Sequence, residues 1–184
     1  MTFRISKICV SVEFRFVAVI TLMLVLFPES QAVVCFFMCL MHEAGHLLAM
    51  ILCGKRAEKI SLDYFGMKID TDKRFLSPVK EALIAFAGPL INLVMCAILY
   101  ACGKTDAATI NLALAVFNLL PVTMLDGGHI ISAFFPDSRL HRKLSLACAF
   151  ILLAVGAAVG IYTRENFTIV IVALYLLIGV ISEK

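Results

Sequence analysis

Apolar residues occur along this chain in six long runs that short polar breaks separate. The runs cover residues 14–27, 32–53, 79–102, 107–124, 144–162 and 167–181. A helix that crosses a bilayer needs about 17 to 25 apolar residues, and most of these runs lie near that length. The first and last runs, with 14 and 15 residues, must extend into flanking residues to span. The pattern predicts about six transmembrane helices.

A different pattern precedes the first run and follows the second. Apolar side chains alternate with polar ones in residues 8–16, and the same period of two begins at Ile60 and resumes after Gly66. This alternation is typical of a β-strand with one buried face. We therefore predict a small sheet at the cytoplasmic face, with an N-terminal strand and a hairpin near residues 58–71. The predicted fold class is an all-α integral membrane protein with this small sheet added.

The composition also favours a membrane protein. Hydrophobic residues make up 62% of the 184 residues and charged residues 16%, and the mean hydropathy is +1.00. Soluble domains have about 45 to 50% apolar residues. We expect a single polytopic domain over residues 1–184. Because the net charge is only +3 and the Lys and Arg residues lie in short loops, no nucleic-acid partner is expected.

The positive charges predict an orientation in the cell membrane. With a cytoplasmic N-terminus, fourteen of the sixteen Lys and Arg residues fall on the cytoplasmic side, and only Lys104 and Arg164 fall outside. Lys and Arg are enriched in cytoplasmic loops of membrane proteins. The sequence therefore predicts a multi-pass protein with both termini in the cytoplasm.

Three ionisable side chains lie inside the second apolar run, at His42, Glu43 and His46. A charged group at mid-bilayer costs about 2.5 to 3.5 kcal/mol on insertion scales, so such a cluster indicates function. The spacing of four residues puts both imidazoles on one helical face, where they can bind one metal ion. Glu43 points to the side and can reach a water molecule on that metal.

A tetrahedral catalytic zinc needs a third protein ligand and one open position. The best candidate is Asp126, which follows the helix-breaking Pro121 and precedes Gly127 and Gly128. The glycines free the backbone there, so the carboxylate can turn into the bundle. A helix end capped at the surface is the alternative interpretation of the same segment.

Three motifs resemble those of the site-2 proteases, which are intramembrane zinc metalloproteases. Residues 42–46 are similar to the HExGH motif of that family, residues 86–92 to its AGPxxN segment, and residues 118–127 to its NxxPxxxxDG motif. The match covers a core of about residues 32–130, in the order of the family. The small size and six runs most resemble the sporulation-type bacterial subgroup, whose members process a membrane-tethered sigma-factor precursor. Residues 122–124 lack the second proline that many relatives carry.

The resemblance implies the chemistry and the partners. His42, His46 and Asp126 would hold one Zn2+ per chain, Glu43 would be the general base, and Asn92 and Asn118 are candidates for positioning the substrate. The substrate would be a membrane-tethered protein that is hydrolysed in or near a transmembrane segment, as in regulated intramembrane proteolysis. A membrane regulatory partner is also implied. Neither a PDZ nor a CBS domain is expected.

Two other functions are open at this point. A divalent-metal transporter would use the same ligands, and Cys35 and Cys39 share the helical face of the two histidines as a soft-metal path. His129 would be a further ligand or would line the cavity. The absence of an evident internal repeat argues against a transporter, and the presence of all four site residues argues against an inactive scaffold. His141 is predicted to be a solvated surface residue.

Overall fold

The computed structural model describes residues 2–5, 8–12, 30–54, 57–63, 66–71, 76–136, 139–163 and 168–182. The predicted first span, residues 14–27, lies outside these ranges. The described residues form four strands and six helices. The strands are β1 (Thr2–Ile5), β2 (Ile8–Val12), β3 (Ala57–Asp63) and β4 (Gly66–Thr71). The helices are α1 (Ser30–Leu52), α2 (Pro78–Ala101), α3 (Thr105–Asn118), α4 (Asp126–Phe134), α5 (Arg139–Thr163) and α6 (Thr168–Ser182).

The prediction of about six transmembrane helices is wrong for the part of the chain that the structure describes. Three helical segments there are long and apolar enough to cross a membrane, at Val33–Leu52, Pro78–Ala101 and Arg139–Tyr162. The fourth run ends early, because α3 stops at Asn118 before Pro121 and has only 14 residues. At 1.5 Å per residue, 14 residues reach about 21 Å, which is less than the hydrocarbon thickness of a bilayer. Helix α6 is apolar but has only 15 residues.

The sheet is larger than predicted, because four strands form it in the order β1-β2-β3-β4. The N-terminal segment contributes a hairpin of β1 and β2 rather than one strand. Strand β2 pairs parallel with β3, so α1 lies in the connection between them, and β3 pairs antiparallel with β4. Strand β1 has only four residues, which is too short for its period to be visible in the sequence.

Helix α2 is at the centre of the helical packing, since it contacts α1, α3 and α4. Helices α1 and α2 approach closely at Gly45, where a Cβ would lie only 2.8 Å from the carbonyl oxygen of Ala87. Small residues allow such close contact between helices in membranes. The close approach brings the face of α1 that carries the histidines against α2.

Helices α5 and α6 bury the segment between α3 and α4. Val122 in this segment is fully buried against Leu176 and Val180 of α6, and Leu146 and Leu152 of α5 pack around them. Many other large apolar side chains on the helices are exposed. An apolar surface of this kind is what a lipid environment requires, whereas a water-soluble monomer rarely exposes it.

Candidate metal centre

Two imidazoles lie one helical turn apart on α1. His42 is buried and His46 is half-buried. Their Nε2 atoms are 3.1 Å apart, and the two rings meet edge to face at 80°. The spacing of four residues therefore gives the shared face that the sequence predicted, with the same nitrogen of each ring turned to one point.

Asp126 reaches that point from the other half of the chain. Helix α3 ends where the Leu119 amide donates to the Ala115 carbonyl oxygen, and the chain then turns through Pro121 to an extended Leu125. Asp126 is the first residue of α4. Its Oδ2 lies 3.0 Å from His42 Nε2 and its Oδ1 lies 3.3 Å from His46 Nε2. The structure thus joins residues that are 80 positions apart in the sequence.

The two glycines after Asp126 allow close packing of backbone segments. Both are helical, and a Cβ on Gly127 would lie 2.5 Å from the Leu120 carbonyl oxygen. A Cβ on Gly128 would lie 2.7 Å from the Thr123 Cα. The start of α4 therefore rests directly on the preceding turn. The reason predicted for these glycines was a need for backbone freedom. In the structure they are required because a side chain would collide with the preceding turn.

The three side chains fit a zinc ion. Zinc binds imidazole nitrogen and carboxylate oxygen at about 2.0 to 2.2 Å, so a tetrahedral site places neighbouring ligand atoms about 3.3 to 3.6 Å apart. The two Nε2 atoms are 3.1 Å apart, and they lie 3.0 and 3.3 Å from the two different oxygens of the Asp126 carboxylate, close to these values. Within the described ranges, His42, His46 and Asp126 form the one group of three or more His, Cys, Asp or Glu side chains that could hold a metal. Three protein ligands leave a fourth position open, as catalytic zinc sites require.

A hydrogen bond from α2 sets the tautomer of one ligand. His46 Nδ1 lies 2.8 Å from the Ile84 carbonyl oxygen. Because a carbonyl only accepts, Nδ1 carries the proton, and Nε2 presents a lone pair to the metal position. Outer hydrogen bonds of this kind orient metal-binding histidines.

Glu43 is adjacent to the three candidate ligands without being one of them. Its carboxylate is close enough to interact electrostatically with His42, His46 and Asp126. It does not belong to the group that could hold the metal. This placement is compatible with the predicted role of Glu43 as a general base.

The two candidate positioning residues differ in their surroundings. Asn92 on α2 is fully buried, and neither atom of its amide has a hydrogen-bond partner among the described residues. The Asn118 amide donates to the Leu114 carbonyl oxygen of its own helix at 3.0 Å. Sequence reasoning missed Asn111, which is also fully buried and donates to the Ala107 carbonyl oxygen at 2.8 Å. Its signal was an amide side chain in the middle of the fourth apolar run, seven residues before Asn118.

The other residues that the sequence analysis named, His129, Cys35, Cys39 and His141, do not belong to the group that could hold a metal. His129 is exposed on α4, and Cys35 and Cys39 hydrogen-bond to each other on α1. The prediction that His141 is a solvated surface residue is wrong, since it is buried on α5. Helix α5 packs against the segment before Asp126, and His141 lies one turn before the buried Ser145, whose Oγ donates to the Pro121 carbonyl oxygen.

Comparisons with known proteins place this geometry in a family. A family model described as Peptidase M50B-like matches residues 16–126, and a model of Peptidase family M50 matches residues 105–163. Rip3 of Mycobacterium tuberculosis is 32% identical over 144 residues, which are 65% of this chain and 36% of that protein. Stage IV sporulation protein FB of Bacillus subtilis is 26% identical over 141 residues, or 68% of this chain and 49% of that protein. The chain thus spans between about a quarter and a half of the curated relatives it matches.

The fold is similar to that of a solved structure. The site-2 protease from Methanocaldococcus jannaschii matches with a TM-score of 0.65 at 23% identity, over 100% of this chain and 94% of that chain. The matched family model covers more than half of the chain, including the two histidines of α1 and Asp126. The chain therefore belongs to the M50 peptidase family, the family of the site-2 proteases.

Proposed function

We propose that this chain is an intramembrane zinc metalloprotease that hydrolyses a peptide bond in or near a transmembrane segment of a membrane-tethered protein. The observation that carries the proposal is the convergence of His42, His46 and Asp126, with Glu43 beside them. The histidines and Glu43 lie within a helix that is long and apolar enough to span a membrane. Ionisable side chains in such a helix are costly unless they are functional.

One zinc ion held by the three ligands would supply a Lewis acid and lower the pKa of a water molecule to about 7. Glu43 takes the proton of the attacking water and delivers it to the leaving amine. This requires a carboxylate that is close to the metal but not bound to it. The electrostatic interactions of Glu43 with His42, His46 and Asp126, and its absence from the group that could hold the metal, support this role. General acid–base catalysis of this kind contributes roughly a hundredfold to ten-thousandfold in rate.

Asn92 is the stronger candidate for positioning the scissile carbonyl. Both atoms of its buried amide are without a hydrogen-bond partner among the described residues, and a buried donor needs one. The carbonyl oxygen of a bound substrate would accept that hydrogen bond. Asn118 is the weaker candidate, because its amide already bonds to its own helix.

Substrate class and membrane orientation belong to the same proposal. The similarity to stage IV sporulation protein FB of Bacillus subtilis supports a bacterial origin. The resemblance of the motifs to those of the site-2 proteases supports a membrane-tethered substrate and a membrane regulatory partner. The charge distribution supports cytoplasmic termini. In that orientation α1 runs toward the cytoplasm, and His46 lies seven residues, about 10 Å, before Cys53. The cleaved fragment would be released to the cytoplasm.

The test is cleavage of tagged single-span membrane proteins in liposomes by the wild type, Glu43→Gln and Glu81→Gln. Glu81 lies in the first turn of α2 and is the matched control. We expect Glu43→Gln to lose at least about a hundredfold in rate while it keeps its zinc, and Glu81→Gln to remain active. Equal turnover by Glu43→Gln and wild type would contradict the mechanism. Zinc uptake into the liposomes that is independent of Glu43 would favour the transporter instead.

A further inference from the structure

One glycine of α2 lies directly against the candidate metal ligands. Gly88 is buried, and a Cβ on it would overlap His46 Nε2. The same Cβ would lie 2.6 Å from His46 Cε1 and 2.7 Å from His42 Nε2. Nonbonded heavy atoms prefer separations of about 3.5 to 4.0 Å. No side chain fits at this position while both imidazoles keep their places.

Helix α2 contacts the His46 ring at both of its nitrogens. The Ile84 carbonyl oxygen accepts from Nδ1 at 2.8 Å. Gly88, one helical turn later, leaves space at Nε2. The hydrogen bond therefore fixes the ring, and the missing side chain keeps clear the nitrogen that faces Asp126.

Other close-packed glycines of the chain have different neighbours. A Cβ on Gly45 would meet Ala87 and Ile91, and a Cβ on Gly156 of α5 would meet Ile169 and Val170 of α6. These contacts are with backbone or apolar side chains and explain close helix packing. At Gly88 the three nearest atoms all belong to the imidazoles of the candidate ligands. Close helix packing alone does not explain why the atoms nearest to Gly88 all belong to the candidate metal ligands.

We propose that Gly88 is a positioning residue of the metal centre, whose missing side chain reserves the volume beside both Nε2 atoms for the metal and its open position. The inference rests on the metal site of the proposed function and adds a residue that is not a ligand. A methyl group at position 88 would displace one or both imidazoles. Metal sites tolerate displacements of only about 0.5 Å from the productive geometry.

The test compares zinc affinity in the detergent-purified full chain of wild type, Gly88→Ala and Gly156→Ala. Gly156 is the control, because its Cβ would lie 2.8 Å from Ile169 Cγ2, which is a close but less severe contact between two other helices. Affinity is measured by competition with a chelator, and the geometry is followed by the visible absorption of bound Co2+. We expect Gly88→Ala to bind zinc about 10- to 100-fold more weakly, as outer-shell changes do, with an altered Co2+ spectrum. Gly156→Ala should match the wild type in both measurements.

Melting of the metal-free protein separates this role from a general folding defect. Without metal the His46 ring can rotate away from a methyl group at the cost of its one hydrogen bond to the Ile84 carbonyl oxygen. Metal-free Gly88→Ala should therefore melt only slightly below the metal-free wild type and gain little from added zinc. Where Gly88→Ala does not fold, the double variant His46→Ala with Gly88→Ala should fold, since the colliding ring is gone. Wild-type zinc affinity in Gly88→Ala, or a double variant as unfolded as Gly88→Ala, would overturn the role of Gly88 but leave the proposed function standing. A wild type that binds no zinc would overturn the proposed function.

Discussion

The residues of the candidate site differ in the polar partners of their side chains. His46 uses Nδ1 to donate to the Ile84 carbonyl oxygen, so only Nε2 is available to a metal. Asp126 turns one carboxylate oxygen to each imidazole. Asn92 has both amide atoms buried with no partner among the described residues. An unpaired buried amide costs about 1 to 3 kcal/mol, which supports the proposal that Asn92 binds a group of the substrate.

Replacing Asn92 with alanine should therefore slow cleavage without removing zinc. Loss of one oxyanion-stabilising donor costs about a hundredfold to a thousandfold in kcat, and we expect a KM that changes far less. Steady-state kinetics on a cleavable membrane substrate, with zinc content measured beside them, test this. Asn111→Ala is the matched control, because Asn111 is equally buried but already donates to the Ala107 carbonyl oxygen. Equal kcat losses in the two variants would make Asn92 a structural residue only.

At the scale of elements, the position of Asp126 depends on helices that are distant in sequence. The turn between α3 and α4 leads directly into Asp126, and α5 and α6 pack against that turn. Val122 packs against Leu176 and Val180 of α6, and Ser145 of α5 donates to the Pro121 carbonyl oxygen at 3.0 Å. The α5–α6 pair thus supports the third ligand, although it contributes no ligand of its own.

The Ser145→Ala variant should loosen this support. It leaves the part-buried Pro121 carbonyl oxygen without its donor, which costs up to about 1 to 3 kcal/mol. We expect a lower melting temperature and weaker zinc binding, both measured on the purified chain. Ser132→Ala is the control, since the Ser132 hydroxyl bonds only to the His129 carbonyl oxygen of its own helix at an exposed site. Zinc affinity that is unchanged in Ser145→Ala would separate this hydrogen bond from the metal centre.

At the scale of the whole molecule, the sequence predicted best what depends on local spacing. The metal-binding face of α1 follows from the four-residue spacing of His42 and His46. Asp126 was a candidate because of the break at Pro121 and the two glycines that follow it, and the motif resemblance paired it with the histidines. No local rule joins positions 80 residues apart. Among the described residues, hydropathy overestimated the number of membrane-spanning helices. It does not show that the helix in the fourth apolar run ends at Asn118, before the run itself ends. The role of Gly88 depends on a contact between helices, which a pattern along one chain does not contain.

The central claim is that His42, His46 and Asp126 hold one metal ion, and that Glu43 acts beside it as a general base without binding it. The most direct measurement is zinc per chain in the detergent-purified wild type, Glu43→Gln, His46→Ala and Asp126→Ala, because it needs no substrate. We expect near one zinc per chain in the wild type and Glu43→Gln, and loss of zinc in the other two variants. Little zinc in the wild type, or zinc that is unaffected by Asp126→Ala, would contradict it.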